Sequence, residues 1–351
     1  MRSLAVMIAL LGAALPVFGQ QQPALQEQID VNAVLLDVIV TDTKGNHILG
    51  LSRDDFEVKE NGVVQAVDSL DYFTNRRLLD AREESAPFKV ERVREERYFI
   101  FFFDKPQEPG QLFDRLNNAR TAVRDFIRNQ MKEGDQVAIA GHDVRLKVYS
   151  DFTSDKAQLE RALDESAKLG KGVTEGSTPI LSNVARKTMM NKTGTVYQAL
   201  DVLADALRPI RARKNLVLFS PGIADINERV MSGMLVDRSR HLDPALRSLN
   251  AANVSVYGVQ LQQSLDADLS SPVVHQRLNE LSTETGGKYF QFNTSFQPAV
   301  NQVEESNAGY YLLTYSSRKA RGEKGFQKVN VSVKGQPQLR VTSRAGYEFG
   351  S

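Results

Sequence analysis

The chain has 351 residues, 41% hydrophobic and 25% charged, with a formal net charge of +1. These are ordinary values for a globular protein long enough for two domains or one large one, and the charge balance sets up no global field toward nucleic acid or an anionic membrane. The lack of cysteine excludes disulfides, thiolate metal sites, a cysteine nucleophile and a cysteine-linked lipid anchor.

Arg2, the apolar stretch Leu4 to Leu15 and the small residues Val17 and Gly19 read as a secretory signal peptide over 1–19. The stretch is short for a membrane span of about 20 residues, and no later segment is apolar enough to be one. Export without disulfides fits a bacterial setting, so the expected localisation is secreted or periplasmic. Residues 20–28 are Gln-rich and expected to be disordered.

Residues 29–74 carry strand patterns: Val31 to Thr41, Phe56 to Lys59 and Val63 to Phe73, the last two flanking Glu60-Asn61-Gly62. Asn-Gly between two such runs is a hairpin signal. These strands are too few to bury both faces alone. Residues 75–96 mix both charge signs and read as a solvated linker.

Tyr98 to Phe103 is an unbroken apolar run ending in Asp104, the pattern of a strand buried on both faces. Asp104 then sits at the carboxyl end of a central strand, where open α/β sheets bind ligands. A helix follows from Gln111. Strands at Gln136 to Ala140 and Leu146 to Tyr149 come next, then Asp155 as the cap of a helix at 156–168. Residues 170–193 read as a long insertion. Thr195 opens a helix, Leu216 to Phe219 is a strand, and Asp243-Pro244 has the form of a capping residue before a first-turn proline. Strands at Val254 to Val259 and Lys288 to Phe292 enclose a helix at Val274 to Thr283, stopped by Gly286-Gly287. This alternation over 97–305 predicts a doubly wound, mostly parallel α/β sheet. After Asn307 the pattern returns to strands at Tyr310 to Tyr315, Lys328 to Val333 and Leu339 to Thr342. Residues 306–351 are therefore expected to pair with 29–74 in a β-sandwich built from both ends of the chain.

The order of these elements resembles the von Willebrand factor A domain, and more narrowly the VWFA-related family abundant in acidobacterial genomes. The resemblance is carried by Val38-Ile39-Val40-Thr41-Asp42, Leu51 to Val58 with Glu60-Asn61-Gly62, Asp151-Phe152-Thr153, Gly194 to Leu200, Thr285 to Phe290 and Arg344-Ala345-Gly346-Tyr347. It implies a Rossmann-like fold and a divalent-cation site on three loops: Asp-x-Ser-x-Ser, a Thr, and an Asp after the fourth strand. Asp104 and Thr195 match two of these ligands. The two serines fall on Pro106 and Glu108, and the third-loop Asp falls on Pro221. Proline offers no side-chain oxygen, so the expectation is a degenerate site with weak Mg²⁺ or Mn²⁺ binding or none, Glu108 and Asp225 being further candidate donors. No other cofactor is expected.

The resemblance implies a non-enzymatic protein-binding module, adhesive in type, with a protein partner and no nucleic acid. Its contact face would include Lys105, Gln107, Glu108, Thr195, Ser220 and Asp225. The alternatives are a hydrolase using Asp104, Glu108 and His142, or a structural scaffold of an envelope assembly. Local readings stand beside these. Thr195 is also an ordinary N-cap, and Asp104 a carboxylate that caps a neighbouring helix or pairs with Lys105 or an arginine. His142 is expected at a solvated surface. Arg208, Arg211, Arg213 and Lys214 are expected to form a solvated helix end.

Overall fold

The computed structural model describes residues 29–43, 46–74, 96–105, 111–168, 180–210, 212–223, 241–261, 272–291, 294–306, 309–320 and 325–349. The expected signal peptide, the Gln-rich segment and all of the charged linker but Glu96 lie outside the described residues.

Along β1 (Ile29–Thr41) Val34, Leu36, Val38 and Val40 alternate into one core, the period of two that a strand imposes. Phe56 and Val58 do the same in β2 (Phe56–Glu60), which turns back into β3 (Val63–Gln65). Asn61 and Gly62 both have positive φ, 48° and 84°, the demand of a two-residue hairpin whose twist matches its strands. The run read as one strand, Val63 to Phe73, is two. It breaks at Ala66, so that β3 stays on β2 while β4 (Val67–Thr74) pairs elsewhere. The two halves are separated by their partner strands, β2 for the first and β11 for the second.

The α/β part runs as β5 (Tyr98–Asp104), α1 (Gln111–Asp125, extended by a wider turn over Phe126–Gln130), β6 (Gln136–Asp143), β7 (Arg145–Thr153), α2 (Lys156–Ala167), α3 (Arg186–Asn191), α4 (Val196–Leu207), β8 (Lys214–Ser220), α5 (Leu242–Ala251), β9 (Val254–Gln260), α6 (Pro272–Glu284), β10 (Tyr289–Phe290) and α7 (Gln297–Ser306). Its sheet has the order β10-β9-β8-β5-β6-β7. All neighbours are parallel except β6 and β7, an antiparallel pair turning at Val144. Phe99, Phe101 and Phe103 of β5 face α1, α2 and α7, while Ile100 and Phe102 face α4, α5 and α6. That two-sided burial is why the run reads as continuously apolar.

Several expectations in this part are corrected. The strand at Lys288 to Phe292 shrinks to Tyr289–Phe290, Phe292 lying outside the described residues. The insertion at 170–193 contains α3, and α7 appears where no element was read. Helix α5 starts at Leu242 with His241 at its cap, so Asp243 lies in its first turn; Leu242 is buried in the core, and the start lies two residues earlier than expected. The basic cluster is not a solvated helix end. Arg208 pairs with Asp205, Arg211 lies outside the described residues, and Arg213 and Lys214 are buried. Arg213 donates to the Gly286 carbonyl at 2.9 Å, and Lys214 opens β8, so strand pairing carries it inside despite its charge.

The chain ends in β11 (Gly309–Ala320), β12 (Gly325–Val333), β13 (Arg340–Thr342) and β14 (Gly346–Phe349), the last unread in the sequence. β1 pairs with β11 from Ile29↔Ala320 to Val38↔Tyr311. Two antiparallel four-stranded sheets result, ordered β13-β1-β11-β4 and β14-β12-β2-β3, and they share one apolar cluster. Within that cluster Glu60 accepts hydrogen bonds from the hydroxyls of Tyr315 at 2.8 Å, Tyr347 at 2.7 Å and Ser317 at 3.0 Å, satisfying a carboxylate whose burial is otherwise costly. The tract Arg344-Ala345 joins this part to the α/β part. Arg344 donates to the carbonyls of Asn250 at 3.0 Å and Leu35 at 2.7 Å, and the Ala345 N–H to that of Glu284 at 3.1 Å.

Candidate functional site

The strand order reverses between β5 and β8, both sequence-distant, and the carboxyl ends of these strands carry Asp104 and Ser220. Parallel register sets His142 of β6 opposite Asp104. The Ser220 hydroxyl donates to Asp104 Oδ2 at 2.6 Å and accepts from the Gly222 N–H at 3.1 Å. His142 Nδ1 stands 3.7 Å from Asp104 Oδ1, and its Nε2 lies 3.1 Å from the Thr193 carbonyl. A carbonyl only accepts, so Nε2 carries the hydrogen of that bond. Asp104, His142, Thr193 and Ser220 are all buried. Ser220 therefore presents no surface of its own, which corrects its place on the contact face, and His142 is not at a solvated surface.

Thr195 is the N-cap of α4. Its hydroxyl accepts from the Gln198 N–H at 3.2 Å, and the Gln198 side chain returns to the N–H groups of Gly194 at 3.0 Å and Thr195 at 3.3 Å. This is a reciprocal capping box. The buried threonine nearer the cluster is Thr193, whose hydroxyl accepts from the Leu146 N–H at 3.0 Å and donates to the Met189 carbonyl. Nothing in the sequence marked it over Thr195. Lys105 is half-buried and pairs with Asp143 at 3.1 Å rather than with Asp104; Lys147 holds the other Asp143 oxygen at 3.0 Å. Partial burial pushes the Asp143 carboxyl up, but the hydrogen bonds from Lys147 and Lys105 outweigh it and hold the group below its ordinary value. Gln107, Glu108 and Asp225, with Pro106, lie outside the described residues.

The described residues do not fit a divalent cation of the implied kind. Mg²⁺ requires near-octahedral oxygen ligation. Asp104 spends one oxygen on a hydroxyl donor and turns the other toward an imidazole; the Thr195 hydroxyl is engaged in its cap; Pro221 brings no side-chain oxygen. Among the described residues no group of three or more His, Cys, Asp or Glu side chains could hold a metal ion.

A groove of about 820 Å³ opens between α3 and α4, lined in part by Ile180, Val184, Lys192, Val202 and Pro209. Its wall at 180–182 is anchored by the buried Asp151 carboxylate, which accepts from the N–H groups of Ile180 at 2.9 Å and Ser182 at 2.8 Å and from the Ser182 hydroxyl at 2.8 Å. Asp104, His142 and Ser220 do not line it.

No family model and no curated protein matches this sequence. Among solved structures the chain is similar to an aerotolerance-related membrane protein from Bacteroides fragilis, at 13% identity over 60% of this chain and 98% of that one, with a TM-score of 0.38. It is similar to the conserved hypothetical protein BatB from Bacteroides thetaiotaomicron, at 11% identity over 60% and 96%, with a TM-score of 0.38. It is also similar to a von Willebrand factor type A structure from Catenulispora acidiphila, at 9% identity over 72% and 66%, with a TM-score of 0.39. Likenesses this weak assign neither a family nor an activity. Among the described residues no helix is long and apolar enough to cross a membrane.

Proposed function

We propose that the chain is an exported, non-enzymatic protein-binding module of von Willebrand factor A type, whose contact face surrounds the carboxyl ends of β5, β6 and β8 and whose cation site is degenerate. The two four-stranded sheets belong, on this reading, to one β-sandwich that carries the α/β part. The observation that supports it is the closed state of Asp104. Its carboxylate is buried, bonded to Ser220 and faced by His142, so that a partner is recognised by the surface around the cluster and not through a bound ion. The nearness of His142 and Asp104 also favours the hydrolase alternative, in which both side chains are buried.

Calorimetry with Mg²⁺ and Mn²⁺ on wild type and Asp104→Ala tests the proposal, together with capture from the native envelope fraction with and without chelator. Weak or absent heats and chelator-resistant capture are expected. Micromolar binding that disappears in Asp104→Ala would restore a cation-dependent adhesion site.

A further inference from the structure

We propose that the tip of the β6–β7 hairpin, with the exposed side of α3, docks an acidic segment of a partner protein that presents an aliphatic or aromatic side chain. The inference rests on the contact-face reading above and gives that face a partner chemistry.

The first observation is backbone strain. Val144 has φ 63°, a left-handed region in which a β-branched residue is an outlier. A glycine or asparagine serves such a turn without that strain. Packing does not compensate, because the Val144 side chain is 68% exposed. An unfavourable residue that contributes nothing to the core points to use at the surface.

The second observation is a fixed apolar pair. Met190, at the end of α3, is 53% exposed. Arg145 ties it to the hairpin, donating from Nε to the Met190 carbonyl at 2.5 Å and from Nη1 to the Val144 carbonyl at 2.6 Å. One guanidinium thus ties together the backbone of two residues whose apolar side chains are exposed.

The third observation is charge. Lys187 lies one turn before Met190 on the same side of α3, and Lys192 follows; both are exposed. On the other flank Lys105 and Lys147 both pair with the Asp143 carboxylate. With a chain charge of +1, the field of these lysines is local and not general. Apolar anchors inside a cationic rim match the anatomy of a protein interface and are complementary to acidic residues around one apolar side chain. A nucleic-acid backbone would leave the valine and methionine unused, and a membrane surface calls for a broader apolar face.

The test uses the full chain with EDTA present. The probes are fluorescein-labelled acidic peptides with a central leucine or phenylalanine, beside neutral and basic sets and vesicles of phosphatidylglycerol. Wild type is expected to bind the acidic, apolar-centred peptides, and less so at high salt. Val144→Gly should weaken binding about tenfold or more, as loss of an interface anchor does, while its melting temperature stays level or rises because the strain is relieved. The double substitution Lys187→Glu with Lys192→Glu should abolish binding. The inference is overturned if binding is indifferent to these variants or if the vesicles are preferred. If neutral or basic peptides bind instead and Val144→Gly weakens them, the contact face stands and its acidic partner does not. If no peptide of any class binds, both fall.

Discussion

Replacing Lys214 with methionine should flatten the pH dependence of stability and make the protein more stable at low pH relative to wild type. Lys214 is fully buried at the start of β8, and its ammonium donates to the Ile210 carbonyl. Burial pushes its pKa down from 10.5 to about 7, against the attraction of Asp37 and with a smaller repulsion from Arg344. The unfolded chain therefore holds a proton that the folded chain lacks between about pH 7 and pH 10.5. Stability rises with pH through that window, by at most about 1.4 kcal/mol per pH unit and about 5 kcal/mol in all. Below pH 7 the folded protein carries the whole penalty of a buried ammonium. Over an accessible range, pH 7 to 9, the gain is about 2 kcal/mol. Methionine keeps the volume and removes the titration. Its loss of the bond to Ile210 subtracts about 1 kcal/mol at every pH. Urea unfolding of both proteins across that range gives the two curves, and groups other than Lys214 cancel in their difference. A difference that does not change with pH would refute the reasoning, since Lys214 would then be titrating alike in both states.

Glu60→Ala should cost about 2–4 kcal/mol, because it strands the buried hydroxyls of Tyr315, Tyr347 and Ser317; denaturant titration checks it, and a loss under about 0.5 kcal/mol would contradict the network's role. Asp151→Ala should free the amides of Ile180 and Ser182, seen as faster hydrogen exchange at 180–182 with β5 still protected; uniform exchange across both segments would mean that the anchor is not local. Deleting residues 29–74 should remove protection from 310–342, since β11 would lose both its neighbours, β1 and β4; intact protection there would show that the two ends fold apart.

Some of this was legible because it is local. The apolar run ending at Asp104, the Asp155 and Thr195 caps and the Asn61-Gly62 turn are each set by residues within a few positions, through strand and helix periods and the φ that a turn demands. The alternation that predicts a parallel sheet is likewise a property of consecutive segments. What the sequence left open depends on partners far along the chain. The hydroxyl on Asp104 comes from a residue 116 positions away, so Ser220 looked like a loop residue and is part of the core. His142 reads as solvated until the Thr193 carbonyl and Asp104 close over it. Arg213 and Lys214 read as a solvated helix end because charge predicts exposure, yet pairing with β5 and β9 draws Lys214 inside. The split between β3 and β4 has the same cause. Propensity specifies a strand, and only the assembled sheets decide which edge it joins.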